Sequence, residues 1–152
     1  MERLNGEESK IYQDAFVLVL SEYIDVIPSI LSRMDGASFA KLLMVAFLVR
    51  RSRLMGVELY SGRDKNNLLP KALIQAGASI DDLAGEVPMF SAAVDLLIGS
   101  GKALVDGDAI KIGGNCELNE PGTPFSAFIA SFIEECSSLS DEYILEEVLR
   151  SV

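Results

Sequence analysis

The segment from Ala37 to Ser52 constrains the fold more than any other, because it is apolar around nearly its whole circumference. A helix of this kind has no face to turn to water, so other elements must cover it. The most apolar stretch, residues 39–49, contains Lys41 and is too short to span a bilayer. We therefore expect a buried central helix in a soluble domain, covered through Phe39, Leu42, Leu43, Val45, Ala46, Phe47, Leu48 and Val49.

The chain before this helix predicts a second helix. Residues 1–10 are polar and resemble a frayed lead-in, and apolar residues recur at helical spacing from Tyr12 to about Val26. Pro28 either ends that helix or opens a short further one, and the Asp-Gly pair at 35–36 predicts a turn.

Residues 68–112 carry the pattern that is most typical of a known motif. "LLPKALIQAG" predicts a helix, Ser79 caps a short helix of two turns or less, and a further helix runs from Pro88 to Gly99. Two short apolar runs, Lys102–Val105 and Ala109–Ile112, flank Asp-Gly-Asp and predict a β-hairpin. A helix-turn-helix followed by a hairpin is the outline of a winged helix.

The rest of the chain predicts a C-terminal appendage. "VELY" at 57–60 predicts a short strand or turn, and the turn formers of 113–122 form a linker. Thr123 and Ser140 then each cap a helix. We expect a mainly α fold: a helical, winged-helix-like domain over 1–114, and a helical appendage over 115–152 that packs on it or on a partner.

Charge is unevenly distributed along the chain. With 13 basic and 23 acidic residues, the whole surface does not attract nucleic acid. Residues 41–71 nevertheless hold seven bases against two acids, whereas 115–152 hold one base against eight acids. Such asymmetry predicts an oriented interaction surface, although cations also favour the C-terminal end of a buried helix. The predicted partner-binding basic patch comprises Arg50, Arg51, Arg53, Arg63 and Lys65.

The wing itself is acidic. Its tip carries Asp106 and Asp108, and the preceding helix carries Asp95 and no base. These carboxylates would repel phosphates, so we expect the winged-helix shape to contact protein rather than read a DNA groove. The apolar stripe Phe125, Phe128 and Phe132 is a second candidate for partner binding, with a place in the core as the alternative.

The sequence offers little for catalysis. It has no histidine, which removes the usual general base and the commonest zinc ligand. Neither Cys116 nor Cys136 has a basic neighbour in sequence, and the adjacent carboxylate pairs suit helix capping and solvation. We expect a protein that is not an enzyme and has no metal or cofactor. The thiols are read as free in a reducing cytoplasm, with a single disulfide as the alternative.

The helical N-terminal half followed by "LLPKALIQAGASIDDLAGEVPMFSAAVDLLIGSGKALVDGDAIKIGG" resembles the middle components of bacterial ABC-three-component defence systems, including the small accessory subunit of Lamassu systems. The resemblance implies a non-catalytic, winged-helix-like subunit that links an SMC/Rad50-like ABC ATPase to an effector such as a nuclease. These middle components have no catalytic signature that could be matched to residues of this chain.

Three functions are therefore ranked. The first is a cytoplasmic adaptor in an antiviral complex, with an SMC-like ATPase and an effector as partners, with direct DNA contact as a secondary expectation and with no membrane contact. The second is a winged-helix transcription regulator that uses the basic patch on DNA. The third is an enzyme that uses Cys116 or Cys136.

Overall fold

Six α-helices and a two-stranded hairpin form the part of the chain that the computed structural model describes, residues 2–55, 68–76, 79–114 and 127–150. The predicted mainly helical fold with a β-hairpin and C-terminal helices is confirmed. The elements are α1 (Glu2–Leu31), α2 (Phe39–Met55), α3 (Leu68–Ala76), α4 (Ile80–Gly99), β1 (Ala103–Asp106), β2 (Ala109–Ile112), α5 (Ala127–Ser138) and α6 (Asp141–Arg150).

Helix α2 lies at the centre of the core, as its all-round apolar sequence predicts. Leu42, Val45, Ala46 and Val49 are inaccessible to solvent, and α1, α3, α4, α5 and α6 all pack against this helix. Its burial from Leu42 to Val49 therefore forms the centre of the core, whereas Phe39 at its start, which the sequence predicts to be covered, is 41% exposed.

The three longest helices have defined directions. Phe39 at the start of α2 contacts Phe90 of α4, and Arg51 near its end approaches Asp82, so α2 and α4 run antiparallel. Tyr23 of α1 contacts both Glu86 and Phe90. With α1 joined to α2 by a short turn, α1 runs antiparallel to α2 and in the same direction as α4. In that turn Gly36 has a φ of +87°, which favours glycine.

Helix α4 is continuous, so the prediction of two helices separated by a turn before Pro88 is wrong. Pro88 lies inside α4 and is exposed. Proline removes one backbone hydrogen bond, but the residues before and after it share one buried face, and burial of that face outweighs the loss. The buried residues are Leu83, Glu86, Phe90, Ala93, Val94 and Leu97. The predicted Ser79 cap is present, since its Oγ accepts from the Asp82 N–H.

Helix α1 is longer than the sequence predicts. It begins at Glu2, so the predicted frayed lead-in over 1–10 is helical from residue 2 onward, and the helix continues through Pro28 to Leu31. Glu and Lys are good helix formers, so a polar segment extends a helix even where it has no core to contact. At the other end, the buried Ile27, Ile30 and Leu31 hold the turn that contains the proline against the core.

The hairpin pairs Ala103 with Ile112 and Asp106 with Ala109, so its first strand lies one residue later than the predicted Lys102–Val105 and includes Asp106. Gly107 at the tip has a φ of +63°, the left-handed conformation that a tight Asp-Gly turn needs. Ala37 and Ile110 exchange two backbone hydrogen bonds of 3.0 and 2.7 Å, which tie the hairpin to the turn before α2.

The two C-terminal helices pack on the core of the chain itself. Glu135 of α5 accepts from the Leu69 N–H at the start of α3, at 3.0 Å. Ser38 donates to Asp141 at the start of α6, at 2.5 Å, and also accepts from the Lys41 N–H, which caps α2. Both contacts place a carboxylate near a helix N-terminus, where the backbone dipole favours negative charge. The predicted "VELY" turn, the linker over 115–122 and the Thr123 cap lie outside the described residues.

Candidate functional site

The N-terminal half of α1 carries the largest group of exposed apolar side chains in the described chain. Residues 6–18, which we call the α1 extension, are all exposed. Tyr12 is 75% and Ile11 67% exposed, whereas Tyr23 on the same helix is 0% exposed. Single exposed apolar residues are ordinary on a protein surface, but five within eight residues of one protruding helix are typical of a binding surface. The group comprises Ile11, Tyr12, Phe16, Val17 and Leu18.

The directions of the helices explain why this segment is exposed. Tyr23 lies opposite Glu86, and α4 begins only six residues earlier, at Ile80. Since the two helices run in the same direction, α4 begins level with about residue 17 of α1. Glu22 contacts Arg50, and α2 ends five residues later, at Met55, at about the same level. The α1 extension therefore projects beyond both of the helices that cover the other half of α1.

One apolar seam runs along both halves of α1. The seam residues are spaced alternately by four and three, the spacing with which one helix packs along another. Its second half packs into the core and its first half lies on the α1 extension, where Tyr12, Phe16 and Val17 line a shallow concave surface. The seam consists of Tyr12, Phe16, Val19, Tyr23, Val26 and Ile30.

A buried polar cluster joins α1, α2 and α4 just below the α1 extension. Glu86 accepts hydrogen bonds of 2.8 Å from the Tyr23 hydroxyl and from Arg50 Nε, and it also contacts Arg50 Nη2. Arg50 Nη1 reaches Glu22 at 2.9 Å. Burial, together with the negative charge of Glu86, raises the pKa of Tyr23 well above its usual range. The cluster has the paired, hydrogen-bonded arrangement that buried charges require, and its role is structural.

The structure thus places Arg50 in the core rather than on an exposed patch. Its side chain is 7% exposed, and its charge is matched within the chain. Arg51 is partly exposed; its guanidinium lies 3.6 Å from Asp82 and 3.5 Å from Glu86, over the Phe47 ring. Its Nε is buried and has no hydrogen-bond partner in the described part of the chain. The remaining basic-patch side chains, Arg53, Arg63 and Lys65, lie outside the described side chains.

The predicted phenylalanine stripe also turns inward. Phe132 is buried in the core and Phe128 is partly buried against it, while Phe125 lies outside the described residues. The core reading of this stripe therefore holds for both described residues, because α5 packs its apolar face on α2 and α3.

The sequence analysis predicts neither the buried polar cluster around Glu86 nor the exposed α1 extension. Glu86 carried a signal, since it falls on the same helical face as Leu83 and Phe90, and an acid on an apolar face needs a buried partner. No sequence signal indicates that Tyr12 and Phe16 are exposed. The sequence shows the spacing of the seam but not where the helices that cover it begin and end.

The hairpin tip keeps the acidic character that the sequence predicts. Asp106 and Asp108 are exposed, and Lys111 pairs with Asp106 at 3.0 Å. Val105 beside them is also exposed.

The described side chains include no group of three or more acidic or cysteine residues placed to hold a metal ion. Within the same ranges, no helix combines the length and the apolar character needed to cross a membrane. Cys136 is buried in α5, and burial, with a smaller effect from Glu135, raises the pKa of its thiol to about 12. No family model, curated protein or solved structure matches the chain.

Proposed function

We propose that this protein is a non-catalytic adaptor subunit that binds an SMC/Rad50-like ABC ATPase and an effector in a cytoplasmic antiviral complex. The observation that carries the binding role is the α1 extension, whose apolar seam continues past the ends of α2 and α4 and lies open to solvent. The kind of complex is taken from the resemblance of residues 68–114 and the helical half before them to middle components of three-component systems.

The chemistry of the described residues supports binding better than catalysis. The thiol of Cys136 is buried with a raised pKa, which disfavours the reactive thiolate. The buried carboxylate of Glu86 is fully engaged by Tyr23 and Arg50. The concave surface on the α1 extension is lined by neither group.

Charge supports a protein partner over DNA. The hairpin tip exposes Asp106 and Asp108, and Arg50 and Arg51 are matched by acids of this chain. A DNA-binding surface would instead have to neutralise several phosphates with free cations. The regulator hypothesis therefore depends on the basic residues outside the described side chains.

Co-expression tests the proposal directly. The tagged chain is produced together with the two proteins encoded by the genes next to its own, which the proposal expects to be an ATPase and an effector, and the product is analysed by size-exclusion chromatography with light scattering. We expect a complex that holds all three chains. A chain that elutes alone, and whose fluorescence anisotropy instead shows salt-sensitive binding to duplex DNA, would contradict the adaptor role and favour a regulator.

A further inference from the structure

We propose that the α1 extension binds a single helix of a partner protein, and that this helix carries Lys or Arg beside its own apolar seam. This inference rests on the proposed adaptor function and specifies the chemistry of one partner surface. It follows from the spacing of the seam, from the charge along its edge, and from the way the same helix is covered in its second half.

The spacing indicates that the occupant is a helix. Tyr12, Phe16 and Val19 continue without interruption the four-and-three spacing of Tyr23 and Val26. In its second half this seam is covered by helices, because α2 and α4 both pack along α1. Side chains at this spacing pack into the gaps between the side chains of a helix that lies alongside. The exposed half of the seam is therefore suited to binding another helix.

The edge of the seam indicates that the occupant is basic. Glu22 lies beside the seam and pairs with Arg50 of the covering helix α2 at 2.9 Å. Glu8 lies fourteen residues earlier, two heptads back, and therefore on the same edge of α1. The Glu8 side chain is exposed. We expect a partner helix to cover the α1 extension in the same way that α2 covers the second half of α1. Such a helix would carry a basic residue opposite Glu8, just as α2 carries Arg50 opposite Glu22.

A second copy of this chain fits the surface less well. In a parallel pair Glu8 would lie opposite Gln13, and in an antiparallel pair of the two extensions it would lie opposite Ala15, so neither arrangement supplies a base. Lys10 lies on the opposite side of the helix from the seam. The chain has a net charge of −10, which also disfavours self-association and binding to anionic lipid.

Two designed helical peptides test the proposal with the full chain. Each has three heptads with leucine at the seam positions, and the flanking positions are lysine in one peptide and glutamate in the other. Fluorescence anisotropy should show binding of the lysine peptide and about tenfold weaker or no binding of the glutamate peptide. The substitution Tyr12→Glu should abolish binding, and Glu8→Lys should reverse the preference.

Matched controls keep these results interpretable. Asp14→Lys makes the same charge change as Glu8→Lys on the side of α1 away from the seam, and it should leave the peptide preference unchanged. Because Tyr12 and Glu8 are exposed, neither substitution should lower the thermal midpoint measured by circular dichroism.

Other occupants give distinguishable outcomes. Equal binding of the two peptides, a wild-type dimer that Tyr12→Glu dissociates, or sedimentation with phosphatidylglycerol vesicles would each overturn the proposal. A three-chain complex that forms unchanged with Tyr12→Glu and Glu8→Lys would overturn it while leaving the adaptor role intact. Absence of any complex with the wild-type chain would count against the adaptor role itself.

Discussion

Glu86 is the residue that links the three longest helices, since its carboxylate contacts Tyr23 of α1 and both Arg50 and Arg51 of α2. We predict that Glu86→Leu lowers the free energy of unfolding by about 3 kcal/mol. The substitution removes one of the two carboxylates that pair with the buried guanidinium of Arg50 in the described chain, and only Glu22 remains. Urea denaturation followed by circular dichroism measures this loss.

The matched double variant separates charge from packing. In Glu86→Leu with Arg50→Leu the buried charges are removed together, and Glu22 is exposed enough to be hydrated. Its loss of stability should be smaller than the sum for the two single variants. A single Glu86→Leu variant as stable as the wild type would show that the cluster is not buried as described.

Cys136 gives a pH dependence with a defined sign. The pKa of its thiol is raised from about 9 to about 12, so the unfolded chain releases this proton at a lower pH than the folded chain. The contribution of the Cys136 thiol to the free energy of unfolding is fully present below pH 9. It is lost as the pH rises towards 12, by about 1.4 kcal/mol per pH unit.

Measurement in a Cys116→Ser background isolates this thiol. Urea midpoints from pH 8 to 10.5 should fall less steeply in a variant that also carries Cys136→Ala. A disulfide reagent at pH 8 should modify Cys136 slowly in the folded chain and rapidly in urea, because the folded thiol is buried. Rapid modification of the folded chain would contradict the burial of α5.

At the scale of elements, α4 and the turn after α1 respond in opposite ways to the same substitution. Gly85 lies in the interior of α4 with open space around its Cα, so Gly85→Ala should stabilise the chain by about 0.5–1 kcal/mol. Gly36→Ala should destabilise it, because φ is +87° and the new Cβ would lie 3.2 Å from the Lys111 side chain. Thermal unfolding of both variants checks the pair, and a stabilising Gly36→Ala would contradict the turn geometry.

The elements that could be predicted from the sequence are those whose signals are local. The all-round apolar α2, the Ser79 cap and the Asp-Gly hairpin each depend on a few neighbouring residues, and all three are confirmed. The prediction of a helix boundary at Pro88 is wrong because the hydrogen bond that a proline removes is outweighed by burial on both sides of it. The buried face runs from Leu83 to Leu97, beyond the immediate neighbours of Pro88.

The candidate site could not be predicted for a related reason. The partners of Arg50 lie 28 and 36 residues away in the chain, so its basic sequence neighbours suggested a surface patch where the fold makes an internal ion pair. The exposure of Tyr12 likewise depends on where α2 and α4 end relative to α1, which is a property of their packing and not of the sequence around Tyr12.

At the scale of the whole molecule, one helix has two different environments. The second half of α1 is part of a core in which five helices pack on α2, and the first half extends from that core with the same apolar seam uncovered. The proposed adaptor role would use both: a rigid body that fixes the direction of the helix, and a free length of helix that a partner covers.

Hydrogen exchange on the co-expressed complex tests this account most directly. In the isolated chain the amides of residues 6–18 should exchange faster than those of residues 23–31, because no described helix covers them. In the complex with the ATPase and effector we predict strong protection of residues 6–18 and little change in 23–31. A complex in which residues 6–18 exchange as fast as they do in the isolated chain would contradict the account.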